Sequence, residues 1–201
     1  MKLIPISIDT MTPVTPEETV LLLVGQIAGE CYNSSMDTDK CKLRALNCIK
    51  RGHHTPWEHV NFTLKCTVDR GVSHALVRHR HCAFMQSSTI YQKFDELTFI
   101  RQPNITLEEQ ELYAQIEQQY KSLLEQKAPP HRARDILPNA LATNLIITTN
   151  MRQWQYMFRR RNGPGDSDNM HRWADIVEVW FRAQYPQTTA MFDTYYKEHK
   201  L

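Results

Sequence analysis

At 201 residues, with 41% hydrophobic and 23% charged side chains, the chain is long enough to bury a core and polar enough to stay in solution. A formal net charge of +2 is no general nucleic-acid footprint, so anion binding must come from local clusters and a nucleic-acid partner is not expected. No apolar run approaches the ~20 residues of a membrane span. The opening MKLIPISIDTMTPVTPEE does not read as a secretory signal. Five cysteines without a CxxC pair read as reduced thiols of a cytoplasmic protein.

In chain order, Thr15-Pro16-Glu17-Glu18 predicts a helix start, with Thr15 as cap, Pro16 in the first helical position and Glu18 at the capping-box position. Its apolar run ends near Cys31. Asp37 or Thr38 caps a second helix that stops at Gly52. From Val60 to Val68 the residues alternate without a fault. Val60, Phe62, Leu64, Cys66 and Val68 face one way, and Asn61, Thr63, Lys65 and Thr67 the other, which predicts a strand with one wet face. Asp69-Arg70-Gly71 reads as a turn, and Val72 to Arg78 as a short helix delivering Arg78 and Arg80.

Leu97 to Ile100 predicts a short strand. Thr106 to Gln126 predicts a long polar helix with an inward stripe of Leu112, Ile116, Tyr120 and Leu123/Leu124. Pro129-Pro130 ends it, and a short helix from Arg132 to Leu137 follows. Leu145 to Asn150 is β-branched and reads as a strand, Met151 to Arg161 as a helix, NGPGDSDN as a loop, and Met170 to Ala183 as the last helix. Interspersed helices and strands, with no repeat or linker, predict one α+β domain over residues 1–201.

Three clusters carry chemistry. GHHTPWEH, residues 52–59, has adjacent imidazoles, but Pro56 breaks any helix on which metal ligands would converge. It reads as a loop leading into the strand, or as a loop whose imidazole faces a planar ligand. In RHRHCAFMQSSTIY, residues 78–91, Arg78 and Arg80 offer two donor forks suited to a pyrophosphate. Ser87-Ser88-Thr89 adds hydroxyl and backbone donors for an anion or a ribose. Nothing local supplies the base and acid that a nucleophilic Ser88 requires. In FRRRNGPGDSDN, residues 158–169, three arginines end a helix and complement its dipole, with one free to reach a site shared with a neighbouring chain.

Together these motifs resemble the flavin-dependent thymidylate synthases. Arg78-His79-Arg80, seven residues and then Ser88 is similar to that family's signature. GHHTPWEHVNFTLKC is similar to its GHxTPxEHxxFTF segment, and LPNA and TTNMRQW to its later LPN and NxR blocks. Several spaced motifs in the right order are far more specific than any one of them. The resemblance covers most of residues 30–180. It implies an α+β domain with a mainly antiparallel sheet flanked by long helices, in a homotetramer that binds FAD between subunits. It also implies the chemistry: NADPH reduces the flavin, and methylenetetrahydrofolate gives one carbon to C5 of deoxyuridylate. By matching positions, the cofactor would be held by Arg78, His79, Arg80, His53, Thr55, Asn150 and Arg152. The nucleotide would be held by Gln86, Ser87, Ser88, Thr89, Tyr91 and Arg161, and catalysis would rest on Arg161, Ser88 and His53.

The chain departs from that pattern at the nucleotide half. The family writes Ser-x-Arg-Tyr where this sequence has Ser88-Thr89-Ile90-Tyr91, so an arginine that grips phosphate is replaced by a side chain with no donor. Ser87 and His171 are further departures. Either other arginines, such as Arg159 or Arg160, take the phosphate, or the substrate is another pyrimidine nucleotide or the product is hydroxymethylated. A non-catalytic flavin or nucleic-acid binder is the remaining alternative.

Overall fold

The computed structural model describes residues 1–193, so the last eight residues of the expected domain lie outside the described residues. Its central feature is the faultless alternation noted above. β3, Asn61–Asp69, buries Phe62, Leu64, Cys66 and Val68 and leaves Thr63, Lys65 and Thr67 toward solvent. It pairs antiparallel along its whole length with β6, Ala142–Asn150. On the wet face this pairing is reinforced by Thr63 with Thr148 at 3.0 Å and by Thr67 donating to Asn144 at 2.9 Å.

β2, Ser7–Thr10, adds to the other edge of β3, and β4, Ala83–Gln86, to the other edge of β6. The result is a four-stranded antiparallel sheet in the order β2-β3-β6-β4. A separate parallel pair joins β1, Lys2–Ile4, to β5, Thr98–Ile100. The α+β class is as expected, but β1, β2 and β4 have no counterpart among the predicted elements. Each is three or four residues long, too short for periodicity to stand out.

α1, Glu17–Glu30, packs on α2, Thr38–Lys50. The start of α1 differs from expectation. Pro16 holds an extended ψ of 139° and occupies the cap position itself, with no side-chain cap. The Thr19 and Val20 N–H groups reach its carbonyl. Glu18 turns instead to pair with Lys42 of α2, and Glu17 accepts from the Gln187 and Thr188 N–H groups at 2.9 and 2.8 Å. α2 is capped by Asp37, whose carboxylate accepts from the Lys40 N–H at 3.1 Å. It closes at Gly52, whose φ of +67° is the left-handed turn that ends helices.

α3 is Arg70–Leu76. Asp69-Arg70-Gly71 is therefore a cap and first turn rather than a loop, because the buried Asp69 carboxylate accepts from the Val72 N–H at 2.7 Å. Arg78 lies beyond the helix end. α4, Leu107–Glu125, carries the Thr106–Glu109 capping box. Its inward face is rotated from the predicted stripe: Leu112 is exposed, and Tyr113 instead stacks on Phe99 at 4.5 Å.

α5, Pro130–Ala133, leads by a 3-10 turn into β6. α6, Met151–Arg161, and α7, Asp168–Gln184, cover the dry face of the sheet with Trp154, Phe158, Trp173 and Phe181. No helix among the described residues is long and apolar enough to cross a membrane.

The α1–α2 contact is closest at Gly25, where a Cβ would stand 1.9 Å from the Cys41 carbonyl oxygen. Backbone meets backbone there, so no rotamer relieves a clash. Gly25→Ala is expected to cost about 2 kcal/mol through overpacking. Thermal unfolding should read this as a fall of roughly 4–8 °C in Tm.

Candidate functional site

Three cavities take in most of the candidate residues; Gln86, Ser88, Tyr91 and Arg161 line none of them. The first, of about 560 Å³, opens where β6 passes into α6, and Arg78, His79, Arg80, Asn150, Arg152, Tyr156 and Glu58 are among its walls. Asn150 is both the last residue of β6 and the cap of α6: its Oδ1 accepts from the Gln153 N–H at 2.9 Å. One turn on, Arg152 and Tyr156 share a helix face by their i, i+4 spacing, and both are exposed. Arg152 pairs with Glu58, which comes from the 3-10 helix Thr55–His59.

The 78–81 turn is stitched to the end of β6 by the Thr149 hydroxyl, which donates to the His81 carbonyl at 2.6 Å. The three residues before it alternate. Arg78 and Arg80 are exposed, and no carboxylate lies within ion-pair distance of either among the described residues. His79 is buried between them and faces the protein.

Behind His79 stands Arg161. Its Nε donates to His79 Nε2 at 2.9 Å, one terminal nitrogen donates to the Ala75 carbonyl at 2.6 Å, and the other to Asp166 at 3.4 Å. A histidine nitrogen that accepts from a guanidinium carries no proton. Burial, reinforced by Arg161 and Arg160, holds His79 down to about 4, well below its ordinary value of 6.5. The imidazole is thus a neutral wall between two cations. Its ring also meets Tyr156 edge to face, with centroids 5.8 Å apart and planes at 75°.

The second cavity, of about 720 Å³, lies between the ends of α1 and α2 and the 52–59 loop. His53, Thr55 and His59 line it, with Tyr32, Leu43 and Arg51 opposite. The third, of about 350 Å³, is lined by Ser87 and Thr89 with Thr67, Thr143, Asn144, Gln92 and Phe94. β4 separates it from the arginine turn, carrying the chain roughly 10 Å along β6.

In that stretch Gln86 donates to the Ser73 hydroxyl at 2.9 Å and to the Thr143 hydroxyl at 3.4 Å. Ser88 accepts from the Ile90 N–H at 3.1 Å, so it closes its own turn. Ile90 is partly exposed, and Tyr91 projects with 87% of its surface free.

Two residues the sequence reading missed stand beside this segment. Arg134 donates to the Thr89 hydroxyl at 3.4 Å. Arg70 is close enough that burial and the Arg134 charge together hold its guanidinium below its ordinary range. Neither forms an ion pair among the described residues.

The sequence profile of the family described as "Thymidylate synthase complementing protein" matches residues 16–187, which takes in every candidate site residue just described. The chain belongs to that family. Relatives carrying the name flavin-dependent thymidylate synthase include one from Clostridium tetani, 34% identical over 133 residues. A second, from Geobacter sulfurreducens, is 32% identical over 119 residues. These matches take in 55% of this chain in both cases, but only 53% and 51% of the relatives' own length. A third, from Kosmotoga olearia, is 26% identical over 190 residues, covering 83% of both chains.

Within the family fold, the candidate residues form three groups. Arg78, His79, Arg80, Asn150 and Arg152 share one cavity, His53 and Thr55 a second, and Ser87 and Thr89 a third. Arg161 stands behind the first, holding His79. Arg152 and Tyr156 at i, i+4 was the available signal for Tyr156. For Arg70 and Arg134 there was none, since 64 residues of sequence separate them and only the fold brings them together.

His79 gives a direct test. Its NMR titration is expected to have a midpoint near 4, and Arg161→Gln to move it upward by removing a neighbouring cation. Because the unfolded chain takes up this proton first, the stability contributed by neutral His79 is fully present above about 6.5. It is lost as pH falls from there to about 4, and no further below. Denaturant unfolding across that window, wild type against His79→Asn, reads the slope.

Proposed function

We propose that this protein transfers one carbon to C5 of a pyrimidine nucleotide with FAD as its bound cofactor. In this reading deoxyuridylate is the substrate, methylenetetrahydrofolate the carbon donor and NADPH the reductant. The observation that carries it is the wall of the 560 Å³ cavity: unpaired Arg78 and Arg80 on either side of a neutral, immobilised His79. The names of the relatives support the flavin and the thymidylate product.

The residues present fit a flavin dinucleotide. Arg78 and Arg80 supply paired forks for its diphosphate, and Arg152 a third cation once Glu58 releases it. The cavity volume falls in the range of small-ligand sites. When bound, the flavin supplies the hydride that completes a methyl group. The chain's own part is binding and orientation. Asn150 keeps its side chain on the α6 cap and so fixes where Arg152 leaves the helix. His53 and Thr55 offer an imidazole and a hydroxyl to a planar ring from the second cavity.

Arg161 keeps the imidazole neutral and aimed, and would supply positive charge near the pyrimidine as electrons arrive. Gln86, Ser87, Ser88, Thr89 and Tyr91 form the nucleotide edge. At that edge Arg70 and Arg134, rather than Arg159 or Arg160, take the phosphate that Ile90 cannot hold. His53 and Arg78 line different cavities, and in the homotetramer the family resemblance implies, one ligand would draw them from different copies of the chain.

Purified protein is expected to carry, or to take up, oxidised flavin visible in its absorbance spectrum. Arg78→Ala and Arg80→Ala should each weaken FAD binding by about ten- to a hundredfold, the loss of a charged hydrogen bond, with Tm unchanged. Normal flavin affinity in both variants would refute the cofactor assignment.

For the nucleotide, deoxyuridylate, uridylate and deoxycytidylate are assayed with methylenetetrahydrofolate and NADPH, and products are weighed by mass spectrometry. Methylated deoxyuridylate is expected. Arg134→Ala should raise the KM for deoxyuridylate by about tenfold or more, and Ile90→Arg should lower it. Turnover of another nucleotide, with none of deoxyuridylate, would instead favour the altered-substrate reading that Ile90 suggests.

A further inference from the structure

His54 is turned away from the cavity that its neighbour His53 lines. Its Nδ1 lies 2.9 Å from Gln155 Oε1, and the far side of the ring lies over Gly52, where an added Cβ would be 3.9 Å from Nε2. Gln155 sits on α6, one position before Tyr156, and is buried. Its Nε2 donates to the Met191 carbonyl at 2.6 Å.

These contacts fix the orientation of the Gln155 amide. A backbone carbonyl only accepts, so the amide nitrogen of Gln155 must face Met191. The amide oxygen must then face His54, and His54 must carry its proton on Nδ1. The orientation of a buried glutamine therefore sets the tautomer of a histidine 101 residues away in sequence.

We propose that Gln155 is a positioning residue: by holding His54 it fixes where His53 and Thr55 stand in the 720 Å³ cavity. The consequence for ligand binding rests on the cofactor reading above, but the positioning itself does not. Beside His54, the His53 N–H donates to the Cys48 carbonyl at 2.8 Å and ties the start of the loop to α2. The loop leaves α2 through the left-handed Gly52, and His53 and Thr55 are exposed on either side of the half-buried His54. His54 also accepts the Trp57 N–H with its own carbonyl, at 3.1 Å, so its placement starts the 3-10 helix that carries Glu58. Gln155 thereby links the C-terminal segment at Met191 to both walls of that short helix. Gln155 is buried with both amide atoms partnered, to His54 and to the Met191 carbonyl, which a side chain that only filled space would not require.

The test uses the full chain labelled with ¹⁵N, with the two histidine rings assigned from His53→Asn and His54→Asn. Wild-type His54 is expected to show the Nδ1–H pattern, and an Nε2–H tautomer would overturn the proposal without any variant. Gln155→Met and His54→Leu should each shift the His53 ring signals and weaken FAD binding, followed by flavin fluorescence, on the order of tenfold, the scale of a displaced site residue.

Gln155→Met and His54→Leu both remove the contact between the two side chains, so combining them should cost less than the sum of the two. His54→Asn keeps a donor at the Nδ1 position and should leave FAD binding near wild type. Unmoved His53 signals, additive losses, or a His54→Asn defect equal to that of His54→Leu would each overturn the proposal. If wild-type protein binds no FAD, the cofactor reading fails, and the ring signals alone then decide the positioning claim.

Discussion

Nine residues of β3 pair with nine of β6, from Asn61 opposite Asn150 to Asp69 opposite Ala142, and both ends of this ladder are helix caps. At one end Asn150 caps α6; at the other Asp69 caps α3. A strand register admits no partial slip, since a shift of one residue turns every side chain to the other face. With Phe62, Leu64 and Cys66 packed against α6 and α7, the register is pinned by burial. The two caps therefore have fixed places, and so do the side chains one turn into each helix. Arg152 and Tyr156 follow from the first cap. α3, with the residues after it, returns the chain along the ladder, so that the 78–81 turn meets the end of β6 at Thr149. The cavity is the gap between what the two ends deliver.

The electrostatics of that gap depend on the turn that follows α3. It leaves Arg78 and Arg80 exposed and buries His79 between them. A third cation at position 79 would meet Arg161 across a buried contact. A neutral imidazole instead accepts the guanidinium and leaves the outward pair to meet an anion. Arg161 is satisfied at the same time by the Ala75 carbonyl at the end of α3, where a cation is favoured by the helix dipole. One arginine thus locks the C-termini of two helices and the protonation state of the residue between the cavity's two free charges.

What was legible in the sequence, and what was not, follows the range of the forces involved. β3 could be read because its alternation is local and unbroken, and α2 and α4 because Asp37 and Thr106 cap within three residues of themselves. The motif residues of the arginine turn were legible as chemistry. Their grouping was not: the spacing of Arg78 from Ser88 says nothing about β4, whose four residues carry Ser87 and Thr89 to a cavity apart from that of Arg78. The start of α1 was misread because a proline in first helical position and a proline at the cap look alike in sequence, and the ψ of Pro16 decides between them. Arg70, Arg134 and Gln155 were invisible because each matters only through a partner far along the chain.

The same distinction bears on the division of labour across the molecule. The 3-10 helix Thr55–His59 gives Glu58 to one cavity and Thr55 and His59 to the next, so it is the partition between them. Both faces of it line a cavity, and it is anchored at Gln155 on one side and tethered by the Glu58–Arg152 pair on the other. An anion that draws Arg152 away from Glu58 frees one of those two anchors. Filling the first cavity therefore alters the restraint on the wall of the second, which is the physical route by which a cofactor in one could prepare the other for its ligand.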